Sequence, residues 1–216
     1  MFGRAAARYD LLNTLMTGGQ DAAWRRATAA ALGAVDGAVL DLGCGTGALA
    51  AALRATGGRV IGLDFSLPML RVARQRAAGR WVVVAGDALA LPFADGSLAA
   101  AATAFTLRNV VDLPGALAEL ARVLRPGGRL AVLELSHAAG LWRLPLAVHR
   151  EVVVPLLGRL LSSDPAAYRY LPASLRPFPP AEALGALIAV AGFRAVRWQT
   201  WFGGAVALHT AERAAA

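Results

Sequence analysis

Lysine is absent from this chain of 216 residues, and all 22 of its basic side chains are arginine. With the abundance of alanine and glycine, that bias reads as genome composition rather than a functional demand. Cysteine is nearly absent too. The single Cys44 excludes an intramolecular disulfide, and no Cys/His cluster has metal-ligand spacing, so no metal is expected. No apolar run reaches the roughly 18–20 residues of a spanning helix; the nearest approach, 144–161, is broken by His149, Arg150, Glu151 and Arg159. The N-terminus lacks a signal-peptide core, because Arg4, Arg8 and Asp10 arrive too early. The expected location is the cytoplasm. Basic runs with interleaved aromatics are also missing, which argues against nucleic acid. The net charge of +8 instead favours transient peripheral contact with an anionic membrane, on its inner face. Mean hydropathy is high, at +0.51, but alanine supplies much of it.

The chain is rich in apolar segments that end in glycine or aspartate. Residues 39–47 read VLDLGCGTG, an apolar strand closed by a turn with glycine at 43, 45 and 47. Glycine lets the backbone turn sharply and lie against a ligand, and the following apolar run 48–53 opens a helix. The spacing is G-x-G-x-G, not the G-x-G-x-x-G of a dinucleotide site. Asp41 places a carboxylate where a pyrophosphate would be repelled and an ammonium welcomed. The pattern therefore favours a cationic nucleoside that carries an amino acid. One βα unit later, RVIGL ends at Asp64, placed to accept two ribose hydroxyls. Ser66 and Pro68 suit the start of the next helix. A third strand, 81–85, leads into Gly86-Asp87-Ala88, where a carboxylate can meet an adenine amino group.

Strands are expected at 38–42, 59–64, 81–85, 98–104 and 128–135, with helices between, which calls for a parallel sheet with right-handed crossovers. Helical residues precede the sheet over 1–36. Leu113–Leu124 is a helix stopped by the turn Arg125-Pro126-Gly127-Gly128. Residues 137–180 break the alternation and read as an insertion over the sheet edge within one domain spanning 1–216. A last helix at 181–191 and a hairpin, 194–201 with 205–210, close the chain.

The segments VLDLGCGTG, VIGLDFS, GDALALPF and RVLRPGGRLAVLELS resemble class I S-adenosylmethionine-dependent methyltransferases. More narrowly, YDLLNTLMTGG with Trp24, FTLRNVVD at 105–112, SSDPAAYRYLPASLR at 162–176 and GGAVALH at 203–209 are similar to the ubiquinone/menaquinone biosynthesis C-methyltransferase family. The resemblance implies an α/β, Rossmann-like sheet of seven strands, mostly parallel with the last antiparallel, and helices on both faces. It implies S-adenosylmethionine as cofactor and C-methylation of a polyprenylated quinol, demethylmenaquinol to menaquinol. It further implies that Gly43, Gly45 and Thr46 line the cofactor, that Asp64 meets the ribose and that Asp87-Ala88 meet the adenine. Residues 1–36 would act as a lid and 137–180 would cover the substrate, with Leu156, Leu157, Leu160 and Leu161 offering an apolar face to the isoprenoid tail. Two rival readings stay open. One is methylation of a benzoquinol or another apolar small molecule. The other is a non-catalytic cofactor-binding subunit of a quinone-biosynthesis assembly. A homodimer also stays open.

Methylating a ring carbon needs in-line placement and a ring made electron-rich by loss of a phenolic proton. Arg108-Asn109 follows strand four at the correct edge, and the family implicates this pair in catalysis or quinol orientation. With a pKa above about 12, Arg108 is a stabiliser of phenolate or an orienter of water, not a simple base. The competing reading pairs it with Asp112. Tyr168 can donate to a quinol oxygen, while Tyr170 packs. His209 faces either the active site or the core. His149 beside Arg150 reads as a solvated face, and His137 lies near the functional edge without further support. Phe65 and Phe105 each follow a strand and can pack on the adenine or the methionine chain; simple packing is the alternative. Tyr9, Asp10 and Asn13 belong to the lid, where Asp10 can equally cap a helix. Trp24 and Met16 read as core. The chain departs from the family pattern at Asp21 (often histidine), Ala104 (serine) and Thr106 (glycine), and Thr106 is expected to crowd the quinol pocket.

Overall fold

The computed structural model describes residues 9–153 and 174–215. Two helices come first, α1 (Tyr9–Met16) and α2 (Gln20–Leu32). There follow β1 (Ala38–Leu42), α3 (Ala48–Leu53), β2 (Arg59–Asp64), α4 (Leu67–Ala77), β3 (Val82–Ala85) and β4 (Leu98–Ala104). Beyond them lie α5 (Leu113–Val123), β5 (Leu124–Leu135), α6 (Arg143–Val148), α7 (Ala181–Val190), β6 (Phe193–Trp201) and β7 (Val206–Arg213). The strands form one seven-stranded sheet of order β3-β2-β1-β4-β5-β7-β6. Pairing is parallel from β3 through β5, and β7 runs antiparallel to both neighbours.

All five residues of β1 are buried, as a central parallel strand requires. Successive side chains point to opposite faces. Leu40 and Leu42 thus join Leu117, Leu120, Leu184 and Ile188 under α5 and α7, while Val39 packs with Leu32, Leu49 and Leu53 under α2 and α3. Asp112 caps α5 by accepting the Gly115 N–H at 3.0 Å, and Pro114 sits in the first turn, where no backbone donor is needed. Ser66 occupies the N-cap position of α4 without a side-chain capping bond.

Of the boundaries that differ from the sequence reading, two have a clear physical reason. Strand β3 starts at Val82; Trp81 is buried instead and packs on Gly47 of the loop after β1. Strand β5 starts at Leu124, not at Gly128. Leu124 pairs with Leu98, and the ladder resumes at Arg129 with Ala100 after an irregularity that absorbs the Pro126-Gly127-Gly128 turn. Proline cannot donate to a ladder, so such an irregularity is where it fits. The insertion is described over α6 and the turns flanking it and again from Ser174. Tyr168, Tyr170 and Leu156, Leu157, Leu160 and Leu161 lie outside the described residues.

Candidate functional site

The carboxyl ends of β1, β2, β3 and β4 converge on one cavity of about 440 Å³. All nine residues expected to hold the cofactor line it: Asp41, Gly43, Gly45, Thr46, Asp64, Phe65, Asp87, Ala88 and Phe105. The loop after β1 is pinned to β2, since the Gly43 and Cys44 N–H groups donate to the Leu63 carbonyl at 2.8 and 3.0 Å. Gly43 (φ 69) lies against the Thr106 side chain, which leaves no room for a Cβ. Gly45 (φ 54) has open space where a Cβ would stand, and its N–H donates to Asp64 Oδ2 at 2.8 Å. Asp64 Oδ1 accepts the Ser66 N–H at 2.8 Å, so both oxygens are oriented by backbone while keeping lone pairs for a ligand. Asp87 Oδ1 accepts the Leu89 N–H at 2.9 Å, and Phe65 is 82 % exposed at the rim.

Asp41 is the most telling group. It is fully buried, and among the described residues neither oxygen has a partner of hydrogen-bond geometry. Burial pushes its pKa up to about 7, against the opposing pull of the nearby Arg25 cation and the Ala50 N–H. A buried carboxylate without a partner is costly, and an ammonium entering the cavity would satisfy it. The donor set therefore fits S-adenosylmethionine: a carboxylate for the ammonium, an open glycine for close approach, and two further carboxylates along the cavity. Burial also drives the Cys44 thiol far above its ordinary value, which leaves it inert.

Asp10 of α1 is not a helix cap. Its Oδ1 accepts the Thr46 hydroxyl at 2.7 Å, its Oδ2 is bound by Arg76 Nη2 of α4, and Arg76 Nη1 donates to Thr46 Oγ1 at 3.3 Å. Helix α1 is thereby latched to the glycine loop. The Arg76–Asp10 pair is about one-third exposed, which limits its worth to about 0.5–1 kcal/mol. Asp10→Ala should then release bound cofactor roughly two- to fivefold faster, read by stopped-flow dissociation. An unchanged rate would show that the latch does not gate the cavity.

A second cavity, of about 580 Å³, adjoins the first and is mostly apolar, with Trp24, Leu135, Trp142, Leu146, Leu175 and Phe202 in its walls. Arg108 lines it. The guanidinium is not paired with Asp112, which is occupied as the α5 cap; it donates to Glu134 Oε1 of β5 at 2.7 Å and to the Phe105 carbonyl. The side chains are 8 % and 1 % exposed, so this is a buried ion pair. Asn109 points to the first cavity instead, with Nδ2 3.4 Å from the Phe105 carbonyl and Oδ1 unpartnered. The two neighbours expected to act together are thus divided between the cavities. Phe105 organises the division. It adopts a left-handed φ of 59°, rare for a bulky residue and a mark of strain at functional positions. Its ring meets Trp24 edge-on at 6.3 Å.

Several side chains lie elsewhere than the sequence suggested. His209 lines neither cavity: its Nε2 is 2.7 Å from the Ala181 carbonyl, its ring stacks on Trp198, and burial lowers its pKa. It is a core histidine beneath α7. His149, read from the sequence as a solvated face, is half-buried and lines the second cavity, as do Met16 and His137, whereas Trp24 is a buried core residue, as expected, that also forms part of that cavity's wall. His137 Nε2 lies 2.8 Å from the Phe178 carbonyl. Thr106 crowds the glycine loop rather than the second cavity. Sequence reasoning missed Arg25 and Glu134. A signal existed for Glu134, because a carboxylate inside an otherwise apolar buried strand has to be paired.

The family model described as "ubiE/COQ5 methyltransferase family" matches residues 1–213. A demethylmenaquinone methyltransferase of Thermus thermophilus is 47 % identical over 99 % of this chain and the whole of that protein. One from Mycolicibacterium paratuberculosis is 46 % identical over 99 % of this chain and 92 % of its own length. Among solved structures, a SAM-dependent methyltransferase of Thermotoga maritima, described as a possible histamine N-methyltransferase, superposes with a TM-score of 0.70. It covers 98 % of this chain and 97 % of its own at 23 % identity, a likeness of fold.

Proposed function

The chain belongs to the ubiE/COQ5 methyltransferase family, and from that premise we propose that it C-methylates a polyprenylated quinol of quinone biosynthesis, demethylmenaquinol. S-adenosylmethionine, when bound, supplies a methyl group on a positively charged sulfur. The observation that carries the reading is the meeting of the two cavities at Phe105. One presents the unpartnered Asp41 to an ammonium, and the other presents an apolar chamber with Arg108 to a ring. The chain's residues orient and exclude water; Arg108, held by Glu134, offers positive charge to a ring oxygen.

No helix among the described residues is long and apolar enough to cross a membrane. Leu141, Leu144, Val148 and Val152 are nevertheless exposed in and around α6, beside the second cavity. With the surplus of positive charge, they support delivery of the tailed quinol from an anionic lipid surface. The test is transfer of label from methyl-labelled S-adenosylmethionine to demethylmenaquinol presented in anionic or neutral vesicles. Label should enter the naphthoquinol ring, faster from anionic vesicles. Equal rates would remove the membrane contact, label in a benzoquinol alone would reassign the acceptor, and cofactor binding without transfer to any quinol would sink the catalytic reading.

A further inference from the structure

We propose that Arg25 is a second catalytic residue, whose guanidinium holds the acceptor's ring oxygen as a phenolate where the two cavities meet; this rests on the quinol-methylation reading above. Among the described residues, only Arg25 and Phe105 line both cavities, so a methyl group passing from one to the other passes them. The Arg25 side chain is nine-tenths buried, and its ion pair is a long one. Among the described residues its Nε has no partner, and Asp21 on the same helix is 3.9 Å away, beyond hydrogen-bond length. The guanidinium carbon lies 5.5 Å from the centre of the Phe105 ring, a cation–π contact that steadies it at the passage. Arg108 is as deeply buried but differs in place and partner: it lines the second cavity alone, and Glu134 Oε1 holds its guanidinium at 2.7 Å. A buried guanidinium with donors to spare is suited to an anion, and the anion this reaction needs is a phenolate.

The step balances without a further reagent. The phenolic proton leaves to solvent, and an Arg25 N–H donates to the oxygen that remains. The electron pair released into the ring lets the neighbouring carbon form the new C–C bond, while the S–CH₃ pair returns to sulfur. That carbon then gives up its own proton, and aromaticity is restored. Arg25 stays protonated throughout. The charged and titratable groups that share a cavity with it are Asp10, Asp41, Cys44, Asp64 and Asp87 in the first, and Asp21, Arg108, His137, Arg143 and His149 in the second.

The test compares Arg25→Gln and Arg25→Lys with the wild type, at saturating cofactor and quinol across neutral to alkaline pH. The glutamine variant should lose about 100-fold in kcat, and the rising limb of its profile should move to higher pH by about one to three pH units. The lysine variant keeps the charge, so its limb should stay with the wild type even where kcat is lower. A folded glutamine variant with wild-type kcat or an unmoved limb overturns the assignment. If the glutamine variant does not fold, the lysine variant decides: a limb displaced to higher pH overturns it, and an unmoved limb with reduced kcat supports it. An inactive wild type would sink the quinol reading and this one together, whereas an active wild type with indifferent variants sinks this one alone.

Discussion

Asp41→Asn should make the ligand-free protein more stable at about pH 8 while nearly abolishing its hold on the cofactor. The folded-state pKa of Asp41 is raised from 3.8 to about 7, chiefly by burial. Below 3.8 the group is protonated in both the folded and the unfolded chain, and stability is unaffected. Between 3.8 and about 7 the unfolded chain releases the proton and the folded chain keeps it, so stability falls as pH rises. Above that window the loss is complete, at roughly 4 kcal/mol. Asparagine escapes this loss but leaves an amide unsatisfied at a cost of about 1–3 kcal/mol. The net gain at about pH 8 should be about 1–3 kcal/mol, and towards acid pH it should reverse to a loss of about 1–3 kcal/mol, because the amide cost remains when the ionisation cost is gone. The cofactor's ammonium, deprived of its buried counter-charge, should bind roughly 30-fold or more weakly. Thermal unfolding at acid and alkaline pH, with and without S-adenosylmethionine, measures both. An asparagine variant less stable than wild type at alkaline pH would show that Arg25 already compensates the charge in full.

The second large effect concerns the buried pair. Arg108→Met should destabilise the protein by about 3–5 kcal/mol, because Glu134 would stay charged or protonated in an apolar strand with its partner gone. Adding Glu134→Leu should return most of that stability, since a buried ion pair is worth little against well-packed apolar residues. Neither variant should transfer methyl. Denaturant unfolding and the label assay, run as a double-mutant cycle, separate the two roles of Arg108. If the double variant regained activity along with stability, Arg108 would be a structural residue and the chemistry would belong to its neighbours.

The parts legible in the sequence were those that obey local backbone rules. Gly43, Gly45 and Gly47 sit at turns that need positive φ, and Asp41, Asp64 and Asp87 stand at strand ends. Their convergence follows from parallel pairing, and the structure brings them to one cavity. What stayed hidden depends on distant partners. Asp10 and Arg25 look like polar positions on ordinary helices; Asp10 finds its partners 36 and 66 residues away, and the place of Arg25 depends on how α2 lies across Phe105. His209 could not be placed because a strand pattern does not say which face meets the site. Its register opposite Val132 turns it under α7. Arg108 and Asn109, adjacent in sequence, diverge because the short turn after β4 sends them to different sides.

The eight residues of α1 give Asp10 to the wall of one chamber, and Asn13 and Met16 to the wall of the other. A single element thus serves two rooms. A change that loosens α1 is expected to act on the shielding of the sulfonium and on the bed for the aromatic ring together. Loosening the latch at Asp10 should therefore raise the KM for the quinol in step with the escape of the cofactor.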